Sequence, residues 1–153
     1  MNDRVDDSQL IFSTYLHYRR WISQLVPSLI PDVEVSFQQL NVLYLVRTLN
    51  ASMAEISRVL GVAPTVITGL VDRLESRGLI RREAHPSDRR RIQLVLTERG
   101  MEISTHVEKE LVSRMKNEVS KLDPAAQQQM RVGLEIFEQV TLGLNASLEQ
   151  SED

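Results

Sequence analysis

The stretch from Ser52 to Gly78 carries its own punctuation, and that punctuation leaves the chain little freedom. Ser52 and Glu55 have the spacing of a capping box, in which each side chain satisfies a backbone N–H at the other's position, so a helix opens there. Gly61 ends it, because a left-handed backbone costs glycine little. Pro64 has the fixed φ and the missing N–H that suit a first helical turn, and the helix "TVITGLVDRLESR" then runs to a stop at Gly78. Ile56, Leu60, Val62, Ile67 and Leu70 are apolar at spacings that pack the two helices across a tight turn, with the small Ser57 where they approach. The pattern is a helix-turn-helix.

Directly after it, "LIRRE" and "RIQLVL" read as two short strands around the turn "HPSDRRR", with Ile92, Leu94 and Leu96 on one side. A helix-turn-helix followed by strand-turn-strand predicts a mainly α chain with a small β-wing, a winged helix. The tip of that wing carries Arg89, Arg90 and Arg91. Arginine suits a narrow minor groove, where negative potential is enhanced, and it offers a planar fork of donors that lysine lacks. Asp88 beside them is expected to accept hydrogen bonds within the turn and to hold a neighbouring arginine in one rotamer.

Charge is segregated in the same way. Nine arginines and five acids put the window Arg47–Arg91 at +4, so with −3 for the whole chain the remainder carries −7. A basic middle between acidic flanks points to a polyanion as partner, double-stranded DNA given the wing.

The flanking segments are helical. Ile11, Tyr15, Tyr18, Ile22 and Leu25 step by four and three, giving a helix that ends near Pro27, followed by the connector "VPSLIPDVEV". Ser36 and Gln39 form a second capping box ahead of "FQQLNVLYLVRTL", which is apolar on most sides and therefore expected to be central. Thr97 caps a long helix marked by Ile103, Val107, Leu111, Met115, Val119 and Leu122. Asp123-Pro124 opens a last one, in which Met130, Leu134, Phe137, Thr141, Leu144 and Leu148 recur at near-heptad steps. The organisation expected is an N-terminal helix and connector over 1–35, a winged helix-turn-helix lobe over 36–97, and C-terminal helices over 98–153. On a single chain the last two helices would expose large apolar faces; a two-fold homodimer covers them and sets two recognition helices about one DNA turn apart.

Several classes drop out. The chain has no cysteine, so disulfides and thiolate metal sites are excluded, and its three histidines are too dispersed to form a metal centre. No phosphate-binding loop, nucleophile elbow or other cofactor motif occurs, so neither a cofactor nor catalysis is expected. No apolar run is long enough to span a bilayer, and the polar start "MNDRVDDSQL" is no signal peptide, so no membrane association and a cytoplasmic location are expected.

The segment "GVAPTVITGLVDRLESRGLIRREAHPSDRRRIQLVLTERG" resembles the core of the MarR (multiple antibiotic resistance regulator) family, and the openings "SFQQLNVL" and "LDPAAQQQM" fit it as well. The resemblance implies an obligate two-fold dimer, winged-helix DNA binding at a pseudo-palindromic operator, and repression relieved by a small ligand. It places Thr65, Val66, Thr68 and Gly69 where members contact bases, and Arg73 where they contact phosphate or the wing. Asp88 and Arg90 fall on the family's wing pair, with Arg90 entering the minor groove and Arg89 as its alternative. Two positions depart from the pattern. Ala63 stands where a serine often caps the recognition helix, and Val66 stands where a hydroxyl often meets a base.

In the resembling family, ligands often bind where the dimerisation helices meet the DNA-binding lobe. Here Tyr15, Tyr18 and Trp21 on the first helix and Tyr44 and Arg47 on the second hold four of the seven aromatics. An apolar aromatic pocket with one cation would suit a small aromatic carboxylate. The alternative for those residues is simple core packing, with Arg47 paired to an acid or facing phosphate. The alternative for the whole chain is a winged-helix protein-interaction module, which would lack salt-dependent retention on nonspecific DNA.

Overall fold

The computed structural model describes residues 6–85 and 88–149; the side chains of residues 88–91 and 147–149 lie outside that description. It divides into two compact units, Met1–Leu111 and Val112–Asp153.

The first unit begins with helix α1, Asp7–Leu29, whose N-terminus is capped by Asp6 accepting from the Ser8 amide at 3.2 Å. The helix continues two residues past Pro27, further than the sequence reading placed its end. Proline near a C-terminus forfeits only its own N–H, and the Ile30 amide closes the last turn on the Val26 carbonyl at 3.3 Å. The connector therefore starts at Ile30. Helix α2, Phe37–Leu49, has both halves of the Ser36/Gln39 capping box and buries Leu40, Val42, Leu43, Leu45 and Val46. It is the central helix its composition demands.

Helix α3, Met53–Leu60, has the Ser52/Glu55 box in full and ends at Gly61 with φ 62°. Helix α4, Pro64–Ser76, begins on proline, and Ala63 provides it no side-chain cap. Ser57 closes the corner: its Oγ donates to the Val62 carbonyl at 2.6 Å, while the Val62 amide donates to the Ser57 carbonyl at 3.2 Å. Ile56 and Ile67 meet in the core with no exposure.

Strands β1, Ile80–His85, and β2, Asp88–Leu96, pair antiparallel from Ile80↔Leu96 to Ala84↔Ile92, with a register shift between Ala84 and His85. Both are longer than the sequence reading placed them. Leu94 and Leu96 are buried, but Ile92, on the same face, is 64% exposed. The alternation sets the face correctly, and the ribbon runs out beyond the core before it reaches its tip.

Helix α4, the ribbon and helix α5, Glu98–Val119, share a single backbone junction. α4 ends in a Schellman motif: the Gly78 amide donates to the Glu75 carbonyl and the Leu79 amide to the Leu74 carbonyl, each at 2.9 Å, with Gly78 at φ 68°. The Thr97 amide then donates to the Leu79 carbonyl at 3.1 Å, and Thr97 Oγ1 donates to the Gly78 carbonyl at 2.6 Å. The same hydroxyl oxygen accepts from the Gly100 amide at 3.0 Å and so caps α5.

The second unit holds the end of α5 and helix α6, Pro124–Glu149, capped by Asp123 Oδ1 accepting from the Ala126 amide at 3.0 Å. Leu134, Phe137 and Leu144 of its apolar stripe are exposed, together with Val132, Ile136, Val140 and Leu142. Among the described residues no single helix is long and apolar enough to cross a membrane.

Candidate nucleic-acid interface

The first half of α4 turns a small, neutral surface outward. Thr65, Val66 and Thr68 are exposed and Gly69 is half-buried. Thr68 Oγ1 donates to the Pro64 carbonyl at 3.0 Å, which commits its proton to the helix and leaves oxygen lone pairs and a methyl group for an outside partner. Gly69 is harder to explain from within. Glycine in a helix interior costs roughly 0.5–1 kcal/mol against alanine, and a Cβ built there meets nothing within 4 Å. Neither packing nor backbone conformation requires that glycine.

The structure redistributes the positive charge read from the sequence. Arg81 pairs with Glu83, and Arg82 pairs with Asp72 and Glu75. Arg77 lies 3.7 Å from Glu34 and donates to Gln39 Oε1 at 3.2 Å. Arg47 donates to Ser104 Oγ at 3.1 Å and pairs with Glu108. Arg58 and Arg73, both exposed, have no acid partner among the described residues. The unpaired charge on the recognition helix is thus concentrated at Arg73, one turn beyond Gly69. The side chains of Asp88, Arg89, Arg90 and Arg91 lie outside the described residues. Their backbone is the start of β2, with Asp88 opposite His85.

The five residues expected around an effector divide between two helices. Tyr18 and Trp21 on α1 form a tilted ring pair with centroids 5.8 Å apart, and Tyr15 lines a cleft of 170 Å³ with Arg19, Phe37, Asn41 and Leu70. On α2 the Arg47 guanidinium lies 5.6 Å from the Tyr44 ring centroid. Arg47 is not a free cation awaiting a carboxylate, because Glu108 on α5 already supplies one. A larger cleft of 450 Å³ lies between the end of α1, the start of α2 and the far half of α4, lined by Val26, Phe37, Gln39, Arg73 and Arg77 among others. Gln39, 3% exposed, turns Oε1 to two donors, the Ser36 amide and Arg77, and its Nε2 has no partner among the described residues.

Sequence reasoning missed Arg82, Asp72 and Glu75. The signal was available only in combination: two acids one turn apart on a helix, and an arginine on the inward register of the next strand.

Comparisons with known proteins agree with this geometry. Residues 34–91, the lobe from the start of α2 to the wing, match a family model described as MarR family. A curated relative, an uncharacterized HTH-type transcriptional regulator YfiV of Bacillus subtilis, is 28% identical over 106 residues. That match spans 69% of this chain and 66% of the relative, just under two thirds of its length. The reduced form of MarR from E. coli superposes with a TM-score of 0.73 at 22% identity, covering 89% of this chain and 98% of that one. MepR, a transcription regulator of the Staphylococcus aureus multidrug efflux pump MepA, superposes at 0.70 with 19% identity over 88% and 97% of the two chains. These likenesses of fold extend well beyond the segment that the family model matches. With the helix corner, the ribbon and the matched lobe coinciding, residues 34–91 form a winged-helix lobe that matches the MarR family, and the chain has the fold of the MarR-family structures.

Proposed function

We propose that this chain is a sequence-specific DNA-binding transcriptional regulator that acts in the cytoplasm as a homodimer on a pseudo-palindromic operator. The observation that carries the reading is Gly69. A mid-helix glycine with no internal reason, flanked by outward Thr65, Val66 and Thr68 and followed by Arg73, which has no acid partner among the described residues, describes a helix face that something bulky must approach closely. A duplex edge is such an object. Val66 offers contact to a thymine methyl, the Thr68 oxygen accepts from a base amine, and Arg73 meets phosphate. Arg90, with Arg89 as neighbour, reaches the adjacent minor groove from the wing, where Asp88 steadies the turn and Arg91 adds charge. Repression follows sterically from a dimer seated across a promoter.

Gly69 separates stability from binding. Gly69→Ala is expected to raise stability by about 0.5–1 kcal/mol, because the helix gains propensity and nothing is in the way. DNA affinity should fall at the same time. Thermal melts and duplex titrations read the two effects; an alanine variant that binds as well as wild type removes the glycine from the interface.

Selection of bound sequences from random duplex by the purified protein tests the whole reading, and a selection that returns no motif favours an interaction module. On the selected duplex, Arg90→Ala should flatten the salt dependence by one charge, a slope change of about 0.9. Thr68→Ala should leave the slope and alter the preferred sequence. An unchanged slope for Arg90→Ala places that residue off the DNA.

Relief by a small aromatic carboxylate belongs to the same proposal. A carboxylate directed to Arg47 must displace Glu108, so an effector there acts on the link between α2 and α5 rather than filling an empty site.

A further inference from the structure

Asp72 and Glu75 stand one turn apart on α4, and both reach the ribbon. That is an odd place for two acids. A helix that approaches phosphates gains from positive charge and loses from negative charge.

Their partner explains them. Ile80, Arg82 and Ala84 alternate on one face of β1, opposite Leu96, Leu94 and Ile92. Ile80 and Leu94 are buried, whereas Ile92 is outside. Arg82 therefore stands where the inward face of the ribbon leaves the core. Its stem covers apolar surface and its head turns to α4, leaving the side chain 26% exposed. Arg82 Nη2 donates to Asp72 Oδ1 at 2.6 Å, and Nη1 donates to Glu75 Oε2. The Arg82 main-chain amide donates to Glu75 Oε1 at 3.3 Å. Side chain and backbone of a single ribbon residue are tied to two residues of the recognition helix. The hydrogen bond that the guanidinium donates to Asp72 also holds its pKa above the ordinary value.

We propose that Arg82, Asp72 and Glu75 form a positioning clamp that fixes the wing relative to the recognition helix, so that both reach their grooves in one geometry. The clamp rests on the DNA-binding reading above, and Arg82 acts through the wing rather than by touching DNA. A rival account makes Arg82 a phosphate contact and the acids a brake on it. The two accounts predict opposite signs for the same variant. Asp72→Ala with Glu75→Ala removes two negative charges from the recognition helix. If Arg82 contacts phosphate, binding to DNA tightens and its salt dependence steepens. If the three residues are a clamp, binding weakens although the protein has become more positive.

The absence of cysteine from the chain makes a direct geometric readout simple. Spin labels at Ile92→Cys on the ribbon and Ser76→Cys on α4, both exposed, report the distance between the two parts in protein diluted with unlabelled chain. In the otherwise wild-type protein the distribution should be narrow. The double alanine variant, checked by its melting curve to be folded, should broaden it and bind a random-sequence duplex roughly fivefold or more weakly, with a shallower salt slope. An unchanged distance distribution, or duplex binding that holds or tightens, overturns the clamp. If the distribution broadens while neither protein binds duplex at low salt, the DNA-binding reading fails and the link between ribbon and helix stands.

Discussion

Gly100→Ala is expected to destabilise the protein by about 3 kcal/mol or more, the upper range for overpacking a site that cannot give. A Cβ at that position would lie 2.0 Å from the Leu79 carbonyl oxygen and 2.9 Å from its carbon. Both atoms are backbone, and that oxygen also accepts from the Thr97 amide. No side chain can swing aside, so either the first turn of α5 or the start of β1 must move by more than an ångström. Helix propensity alone predicts the opposite, a gain of up to about 1 kcal/mol. A thermal melt decides between them, with an expected drop in Tm of roughly 6–12 °C for a chain of this size. Gly69→Ala, which meets no atom, provides the control of opposite sign. A Gly100→Ala protein that melts at or above wild type would mean that the close approach to Leu79 is wrong.

Removing the chain after Leu122 is expected to abolish the dimer and specific DNA binding together. The truncation deletes α6, whose Leu134, Ile136, Phe137, Val140, Leu142 and Leu144 are exposed on the single chain. An apolar face of that length needs a cover, and in a two-fold dimer the partner's copy provides it. A lone half-site contact falls to the nonspecific range, about 10³-fold or more below a dimer on its operator. The core of the lobe, including Ile56, Ile67, Leu74 and Leu79, lies in the first unit, so circular dichroism should still report a folded winged helix. Leu134→Glu with Phe137→Glu asks the same question without a deletion. Both residues are exposed in the monomer, so the charges cost it little, whereas an apolar interface cannot hold them. Light scattering that finds a stable dimer of either variant removes α6 from the assembly.

The parts of this fold that were legible in the sequence are those held by bonds between near neighbours. Ser36 and Gln39, Ser52 and Glu55, Gly61, Gly78 and Thr97 each act across a few residues, and each stands where its spacing put it. Depth was less legible than direction. The alternation of Ile92, Leu94 and Leu96 gives their common face but not the point where the core ends, which leaves Ile92 in solvent. Pairings across the fold were not legible at all. Arg47 and Glu108 are 61 residues apart, and nothing local to Arg47 distinguishes a cation kept for a ligand from one already bound to α5. Arg82 shows the same limit at short range. Ten residues separate it from Asp72, but their meeting depends on how the ribbon folds back on the helix.

The junction at Gly78, Leu79, Thr97 and Gly100 also has a mechanical consequence. The last turn of α4 holds the amides of Gly78 and Leu79, and Thr97 at the head of α5 holds the carbonyls of the same two residues, so one short segment is tied to both helices. A turn of the first residues of α5 reaches the end of α4 through Gly78 and Leu79. Any event that turns the start of α5 therefore re-aims the recognition helix without first bending the lobe.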